Sequence, residues 1–373
     1  MNYPFSPAMP ASARFVAAEL AAWPLAAPPG TAAPIQELHI EVTHRCNLRC
    51  RMCHHWRIKP PGHEMTPGEL ARLLENSKRL RGIKTAVLTG GEPLLRPDLA
   101  QLASVILTRF PGISLGILTN LSDTGLILRR IGECVEAGAP GLWLGSSLDG
   151  AGAAHDAVRG ARGAYARTLK SVKAIRAKYP AMNIAFNFTL LPDNAPGLVK
   201  TYLAAKKLNL WLGAQKVVNQ AGFEAEKFAW SPKALRAAIT QLDWIIADIC
   251  REHKAFERLV SHKEHETPWL WSSLIYWLRL RDYLARPRRL MGECYAGSRY
   301  AMLSPAGELF FCPVRRNRTL GCALEKGFDA VWTGPKAGHE RAAIASARCH
   351  CWLHCIANTV IARALALRFA PLE

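Results

Sequence analysis

Residues 37–54 read ELHIEVTHRCNLRCRMCH, a short apolar run followed at once by three closely spaced cysteines. The run at residues 37–43 is typical of a buried strand. The thiols of Cys46, Cys50 and Cys53 follow it in C-x3-C-x2-C spacing. We therefore expect all three thiols in one loop, at the carboxyl end of the first strand of a sheet.

The same order of strand and helix repeats downstream of this segment. Further short apolar runs lie at residues 83–89, 113–119, 142–148, 183–190 and 210–218. Helical patterns lie between and after them at residues 67–80, 97–109, 125–137, 165–179, 195–207 and 232–253. Strands that are apolar on both faces and alternate with helices predict an α/β fold with a parallel sheet, here a partial (β/α)6 barrel. In such folds the chemistry lies in the loops after the strands.

The two ends of the chain differ from this middle part. Residues 1–35 are rich in Ala and Pro, and we expect a flexible arm with one short helix at residues 11–22. Residues 36–255 form the predicted barrel. Residues 256–373 are predicted to be a helical linker, whose aromatic stripe packs in the core, and a small cysteine-bearing extension with a β-hairpin at residues 300–312.

Composition limits the class of protein. The chain has 373 residues, half of them apolar, and carries 48 Lys and Arg against 29 Asp and Glu, a net charge of +19. Nine of the eleven cysteines lie in two clusters, which, with no secretory signal, indicates metal sites in the reducing cytoplasm rather than disulfides. No run of 18 uncharged apolar residues occurs, so we expect no membrane span. The excess positive charge fits an anionic partner and a solvated basic face equally well.

Three thiolates in one loop suit an iron–sulfur cubane. They would bind three of its irons and leave the fourth open to a small chelating molecule, whereas a fourth cysteine would make the site an electron carrier only. A zinc ion is the alternative, with His54 or His55 completing four ligands. Zinc sites usually combine a C-x2-C pair with a second pair, so the spacing favours the cluster.

A second motif, Gly90-Gly91-Glu92-Pro93, follows the next strand. Together the two motifs resemble the radical S-adenosylmethionine (SAM) superfamily, and the resemblance covers most of the chain from residue 37 onward. It implies a [4Fe–4S] cluster whose open iron binds SAM, and cleavage of SAM to a 5′-deoxyadenosyl radical that takes a hydrogen atom from the substrate. It also implies an electron donor such as flavodoxin or ferredoxin.

The resemblance assigns residues to SAM. Gly90, Gly91, Glu92 and Pro93 correspond to the segment that holds its amino group, where glycines allow close approach to the ligand and Glu92 can accept a hydrogen bond from the ammonium. The other expected contacts follow later strands and are Asn120, Ser147, Arg159 and Asn187. By this analogy Ser147 and Arg159 contact the SAM carboxylate, which a guanidinium can bind bidentately. The alternative is that Asp149 and Arg159 pair merely to hold their loop.

A second group of cysteines lies near the carboxyl terminus. Its expected metal ligands are Cys294, Cys312, Cys349, Cys351 and Cys355. Their spacing resembles the extension called SPASM or twitch and implies one auxiliary [4Fe–4S] cluster. Four thiols would close this cluster, and three would leave an iron open to substrate. A structural zinc ribbon is the alternative.

The sequence leaves two kinds of function open. The first is SAM-dependent radical chemistry on a peptide or small metabolite, with the auxiliary cluster assisting oxidation or holding the substrate. The second is a zinc-stabilised basic protein that binds nucleic acid, supported by the arginine-rich residues 279–289 and 315–318. Neither run resembles a known nucleic-acid-binding motif, and the Gly-Gly-Glu-Pro segment favours the enzyme.

Overall fold

The computed structural model describes residues 4–25, 34–53, 55–218, 228–292, 294–346 and 350–369. Its strands are β1 (Glu37–Thr43), β2 (Thr85–Gly90), β3 (Ser114–Leu118), β4 (Trp143–Ser147), β5 (Ile184–Leu190), β6 (Trp211–Lys216), β7 (Tyr300–Leu303), β8 (Glu308–Phe310) and β9 (Gly321–Cys322). Within these residues the strands form one sheet in the order β6-β5-β4-β3-β2-β1-β7-β8-β9.

Helices connect and cover the strands. They are α1 (Ala11–Ala22), α2 (Pro67–Glu75), α3 (Leu99–Arg109), α4 (Thr124–Glu136), α5 (Ala153–Arg159), α6 (Ala164–Lys178), α7 (Leu198–Lys207), α8 (Pro232–Glu252), α9 (Ala255–Val260), α10 (Pro268–Ala285), α11 (Ala323–Lys326), α12 (Phe328–Thr333), α13 (Pro335–Ala345) and α14 (His354–Arg368). Local signals set several boundaries. The Thr66 side chain accepts from the N–H of Glu69, whose own side chain bonds back to the Thr66 N–H, so a capping box begins α2.

The sheet confirms the α/β fold class. Strands β1 to β6 are parallel and lie in chain order, as a partial barrel requires. β7 pairs with the other edge of β1, also parallel, with Ile40 opposite Leu303. β8 and β9 then continue antiparallel. The predicted hairpin therefore extends the barrel sheet and covers an edge of β1 that would otherwise expose unpaired backbone groups.

The predicted domain limits stay a prediction. α8 and α10 lie on either side of residue 255, yet they pack against each other, and both supply residues to one hydrophobic core. None of the helices in the described part of the chain is both long and apolar enough to cross a membrane.

The two faces of β1 differ in polarity. Side chains of a strand alternate between faces, so Leu38, Ile40 and Val42 share one face and lie in the hydrophobic core. Glu41 and Thr43 lie on the other face and are also buried. β1 is therefore buried on both faces, as expected, although one of these faces is polar. Its polar face needs hydrogen-bonding partners inside the fold.

The helix predicted at residues 11–22 is present as α1, but it does not belong to a mobile arm. Its apolar residues Val16 and Leu20 are buried, and α1 packs against α8, α9 and α10. Arg279 of α10 donates to the carbonyl oxygen of Ala21 at 3.0 Å. A cation at the carboxyl end of a helix satisfies its last carbonyls, so this contact fixes α1 to the body.

α14 spans the open side of the partial barrel. The N–H of His354 donates to Oε1 of Gln215 on β6 at 3.2 Å. Oγ1 of Thr359 donates to Oε2 of Glu37 on β1 at 3.1 Å. Because β6 and β1 are not neighbours in the sheet, α14 bridges the gap between them.

Candidate functional site

The cysteine loop, residues 44–53, leaves the carboxyl end of β1 and is held by backbone hydrogen bonds. The N–H of Gly91 donates to the carbonyl oxygen of Thr43, and the N–H of Glu92 donates to that of Arg45, both at 2.8 Å. The turn after β2 therefore lies directly against the cysteine loop. This contact brings the two sequence motifs into one site.

Two glycines allow this close approach. A Cβ on Gly91 would overlap the carbonyl oxygen of Arg45, and a Cβ on Gly160, which has a φ of +64°, would overlap that of Arg49. We expected Gly90 and Gly91 to let the backbone approach a ligand. In the structure they let it approach the cysteine loop.

The thiols of Cys46, Cys50 and Cys53 are free and partly or fully buried. Burial raises the pKa of Cys46 to about 11 and that of Cys53 to about 12, and the neighbouring Cys50 contributes to both increases. Nη1 of Arg159 donates to Sγ of Cys50 at 3.6 Å. Since Cys46 and Cys53 are protonated at neutral pH, iron binding has to displace their protons.

The three thiols of the loop suit an iron–sulfur cluster, and the choice between this cluster and a zinc ion stays a prediction. Among the described residues, no three His, Cys, Asp or Glu side chains are grouped as ligands of one metal ion. In a cubane each thiolate binds its own iron, so the thiols need not meet at one point. His55, the alternative zinc ligand, lies 3.5 Å from Oε1 of Glu41 through its Nε2. His54 lies outside the described residues.

The carboxylate of Glu92 is buried beside the cysteine loop. It accepts hydrogen bonds from Oγ1 of Thr119 at 2.8 Å, from the N–H of Asn120 at 2.8 Å and from the N–H of Leu94 at 3.2 Å. Burial raises its pKa to about 7 despite these hydrogen bonds. No cationic side chain in the described ranges forms an ion pair with it. The ammonium group of SAM fits this carboxylate because it would favour the charged form.

The side chain of Asn120 stabilises the cysteine loop. Its Nδ2 donates to Oδ1 of Asn47 at 2.7 Å, and its Oδ1 accepts from the N–H of Ser122 at 2.9 Å. Asn47 also donates to Oγ of Ser122 at 3.2 Å. Asn120 therefore positions the loop, and a direct contact between its side chain and SAM stays a prediction.

Arg159 connects α5 to the cysteine loop. Its Nη2 lies 2.6 Å from Oδ2 of the fully buried Asp149. Although burial opposes it, the charge of Asp149 raises the pKa of Arg159 above its usual value. Burial and the charge of Arg159 lower the pKa of His155 to about 4, and its Nδ1 accepts from the N–H of Asp149 at 3.0 Å. The Asp149–Arg159 pair is thus present, and contact between Arg159 and the SAM carboxylate stays a prediction.

Ser147 and Asn187 lie opposite each other on β4 and β5. The Oδ1 atom of Asn187 is buried and accepts no hydrogen bond in the part of the chain that the structure describes. Asn187 also lies opposite Gly213 of β6, which has no side chain. An acceptor without a donor suits a ligand hydroxyl, which agrees with the predicted contact to the adenosyl portion of SAM.

Sequence reasoning missed a buried polar cluster that joins β1 to the second cysteine group. Arg316 binds both carboxylate oxygens of Glu41, with Nε 3.1 Å from Oε1. Nε2 of His44 lies 3.6 Å from Oε2, and His55 lies on Oε1. Burial opposes ionisation, but hydrogen bonds from His44, His55 and Arg316 lower the pKa of Glu41 well below its usual value. The sequence held one signal for this cluster, because Glu41 is a charged residue inside the apolar run of β1.

Replacing Arg316 by Met is expected to lower the free energy of unfolding by about 3 kcal/mol, because the buried carboxylate of Glu41 loses its bidentate partner. Urea unfolding followed by circular dichroism measures this change. Arg318→Met is the matched control, since Arg318 is exposed and its loss should alter stability by less than about 0.5 kcal/mol. Equal stability of the Arg316→Met variant and the unmodified protein would contradict the expectation.

Cys312 and Cys355 of the second cysteine group lie near the buried Tyr300 of β7. Burial raises the pKa of Cys355 to about 12, and the neighbouring hydroxyl of Tyr300 acts against this rise. Cys294 and Cys351 are half-buried, and Cys349 lies outside the described residues. The structure therefore brings Cys312 and Cys355 into one region, while the complete ligand set stays a prediction.

The two arginine-rich runs make contacts within the chain. Nε of Arg281 lies 2.5 Å from Oδ1 of the buried Asp243. Arg289 donates to carbonyl oxygens at the end of α13, and Arg315 forms a bidentate pair with Glu340. Because these cations stabilise the fold, the runs do not favour the nucleic-acid alternative.

A profile of the Radical SAM superfamily matches residues 40–202, the span that contains the cysteine loop, Glu92 and Arg159. This part of the chain is therefore similar to the radical SAM superfamily. A [4Fe–4S] cluster and SAM are the cofactors of this family. Pre-heme d1 synthase of Dinoroseobacter shibae is 32% identical to this chain over 155 residues, 41% of the chain and 36% of the relative.

A longer match is to the PqqA peptide cyclase of Gluconobacter oxydans, which is 25% identical over 75% of this chain and 70% of its own length. The solved structure of anSMEcpe with bound AdoMet and the Cp18Cys peptide superposes with a TM-score of 0.59 at 13% identity, over 90% of this chain and 98% of that one. At this identity the likeness shows a common fold. The chain spans less than half the length of the first two curated relatives it matches.

Proposed function

We propose that this chain reductively cleaves SAM at a [4Fe–4S] cluster on Cys46, Cys50 and Cys53 and abstracts hydrogen from a peptide or small-metabolite substrate. One observation carries the proposal. Three free thiols lie in a loop that is hydrogen-bonded to Glu92 and its neighbours, and the buried Glu92 carboxylate has no cationic partner among the described residues. The thiols that would bind iron therefore lie beside a carboxylate that can accept a hydrogen bond from an ammonium group.

The roles of the residues follow from their contacts. When bound, the cluster supplies the electron that cleaves SAM to a 5′-deoxyadenosyl radical. Glu92 binds the amino group of SAM. Thr119 and Asn120 orient the carboxylate of Glu92 by donating hydrogen bonds to it. Arg159 places positive charge against Cys50 and offers a buried Nε–H to the SAM carboxylate. Ser147 of β4 contacts the SAM carboxylate together with Arg159, and Asn187, opposite it on β5, reaches the adenosyl portion.

An auxiliary [4Fe–4S] cluster on the second cysteine group completes the proposal. Its ligands are Cys294, Cys312, Cys349, Cys351 and Cys355, of which four close the cluster or three leave an iron open. The pairing of β7 with β1 supports a role beside the first cluster. There it assists oxidation of the substrate radical or holds the substrate.

Partners and location extend the proposal. A peptide substrate is supported by the PqqA peptide cyclase relative and by the peptide-bound anSMEcpe structure. Flavodoxin or ferredoxin supplies the electron, and the cytoplasm provides the reducing environment that free thiols need.

Anaerobic reconstitution with iron and sulfide tests the proposal. The protein should bind about eight irons if both clusters form, and it should release 5′-deoxyadenosine from SAM and dithionite. Chromatography of the reaction detects this product. A colourless protein that binds zinc in preference to iron, and forms no 5′-deoxyadenosine, would support the alternative function.

A further inference from the structure

Lys216 is the last residue of β6 and lies between two aromatic rings. Its Nζ is 5.6 Å from the ring centroid of Trp230 and 5.9 Å from that of Tyr283. The side chain is half-buried, and no carboxylate among the described residues pairs with it. Burial lowers the pKa of this lysine, as expected for an ammonium group that loses water without gaining a negative partner.

Trp230 contributes a second donor. Its Nε1–H is buried and has no acceptor in the described part of the chain. Buried donors in native proteins normally have an acceptor, so this group needs a ligand or a water. Neither an ammonium nor an indole N–H can accept a hydrogen bond. The complementary ligand therefore supplies acceptors.

A carboxylate matches this site in charge and in hydrogen bonding. When ionised it is an acceptor only, and its single negative charge balances the single ammonium of Lys216. A phosphate would bring nearly two negative charges to one cation, and unpaired charge is unfavourable in a partly buried site. The rings of Trp230 and Tyr283 would cover the carbon skeleton next to the carboxylate.

The site lies at the same end of the sheet as the cysteine loop. β1 to β6 are parallel, so the carboxyl end of β6, at Lys216, shares an edge with the carboxyl end of β1. Phe228, two residues before Trp230, lies 5.7 Å from the guanidinium of Arg51, measured to the ring centroid. Arg51 is part of the cysteine loop. A ligand at Lys216 would therefore lie at the same end of the sheet as the cysteine loop.

We propose that Lys216 and Trp230 bind a carboxylate group of the substrate and orient it toward the cysteine loop. The identity of this ligand as the substrate rests on the proposed function. Binding of a carboxylate does not, because it requires neither a cluster nor turnover.

Lysine acylation tests the site without turnover. Iron-reconstituted protein is treated with an N-hydroxysuccinimide ester, and mass spectrometry follows Lys216, with the exposed Lys207 of α7 as internal reference. Phenylacetate at about ten times its dissociation constant should slow acylation of Lys216 about tenfold, because only the unbound fraction reacts. Lys207 should be unaffected. Phenylacetamide, which has the same ring without the charge, should not protect Lys216.

Blocked peptides identify the source of the carboxylate. A tripeptide with a central glutamate is compared with its glutamine counterpart and with phenylacetate. Protection by the glutamate peptide at lower concentration than phenylacetate supports a peptide substrate. The reverse order supports a small carboxylic acid.

A matched pair of tryptophan variants tests the second donor. Trp230→Phe keeps an aromatic ring but removes the N–H, and it should raise the half-protecting concentration of phenylacetate about tenfold. Trp244→Phe, at a partly exposed position on α8, should leave it unchanged. The proposal would be overturned if neither phenylacetate nor the glutamate peptide slowed acylation of Lys216. It would also be overturned if inorganic phosphate protected Lys216 more strongly than phenylacetate does. Release of 5′-deoxyadenosine by the unmodified protein is measured separately, so a failure of the proposed function would be recognised by itself.

Discussion

Replacing Cys46, Cys50 and Cys53 together by Ala is expected to abolish formation of 5′-deoxyadenosine and to remove about four irons per chain, one cubane. The loop itself should keep its place. Its backbone is anchored to Gly91 and Glu92 by hydrogen bonds that involve none of the three thiols. Iron analysis of the reconstituted protein and chromatography after reduction with dithionite measure the two effects.

Cys134→Ala is the control for this triple variant. Cys134 is a lone, fully buried thiol of α4, so its loss tests the general effect of removing a buried cysteine. It should retain all irons and form 5′-deoxyadenosine. Undiminished product from the triple variant would refute the central proposal. Loss of iron from the Cys134 variant as well would show that iron content reports on folding rather than on ligands.

Local patterns predicted much of the fold. The six parallel strands were expected within a few residues of their observed bounds because each is a short apolar run beside a helical pattern. The capping residues around Thr66 and the helix at residues 11–22 followed from equally local signals. The position of α1 in the fold did not follow from local signals. Its contacts with α10 join residues far apart in the chain, and no local pattern encodes them.

The candidate site divides in the same way. The cysteine spacing and the Gly-Gly-Glu-Pro motif are local, and both lie in the site. The pair of Glu41 and Arg316 joins residues 275 positions apart, and the helix α5 that carries Arg159 is too short to show periodicity. The contact of Gly160 with the backbone of Arg49 also joins residues far apart in the chain, and no local pattern encodes it. Long-range pairing of this kind becomes visible only in the folded structure.

These long-range contacts connect the two cysteine groups. β7 leads into the hairpin before Cys312 and pairs with β1, which leads into the cysteine loop. Arg316 follows Cys312 closely and binds Glu41 of β1. A change at the second group can therefore reach the first through the shared sheet. A test of the auxiliary cluster has to separate such a structural effect from an electronic one.

Cys312→Ala combined with Cys355→Ala is expected to remove about four irons and to uncouple SAM cleavage from substrate conversion. The two thiols lie near Tyr300, apart from the three that hold the first cluster. Cleavage of SAM needs the first cluster alone, so 5′-deoxyadenosine should still form with dithionite. Substrate conversion should stop if the auxiliary cluster accepts an electron from the substrate radical or holds the substrate.

Folding has to be verified first, because removal of a structural metal can unfold its domain. Circular dichroism and thermal melting of the double variant serve this purpose, and Cys322→Ala, at a half-buried thiol of β9 that is not an expected ligand, is the matched control. The Cys322→Ala control should keep its iron, and its cleavage of SAM should stay coupled to substrate conversion. A folded double variant that loses four irons yet converts substrate at the normal rate would show that the auxiliary cluster is dispensable. A folded double variant that loses 5′-deoxyadenosine as well would indicate that the contacts between β7 and β1, rather than electron transfer, make the second group necessary.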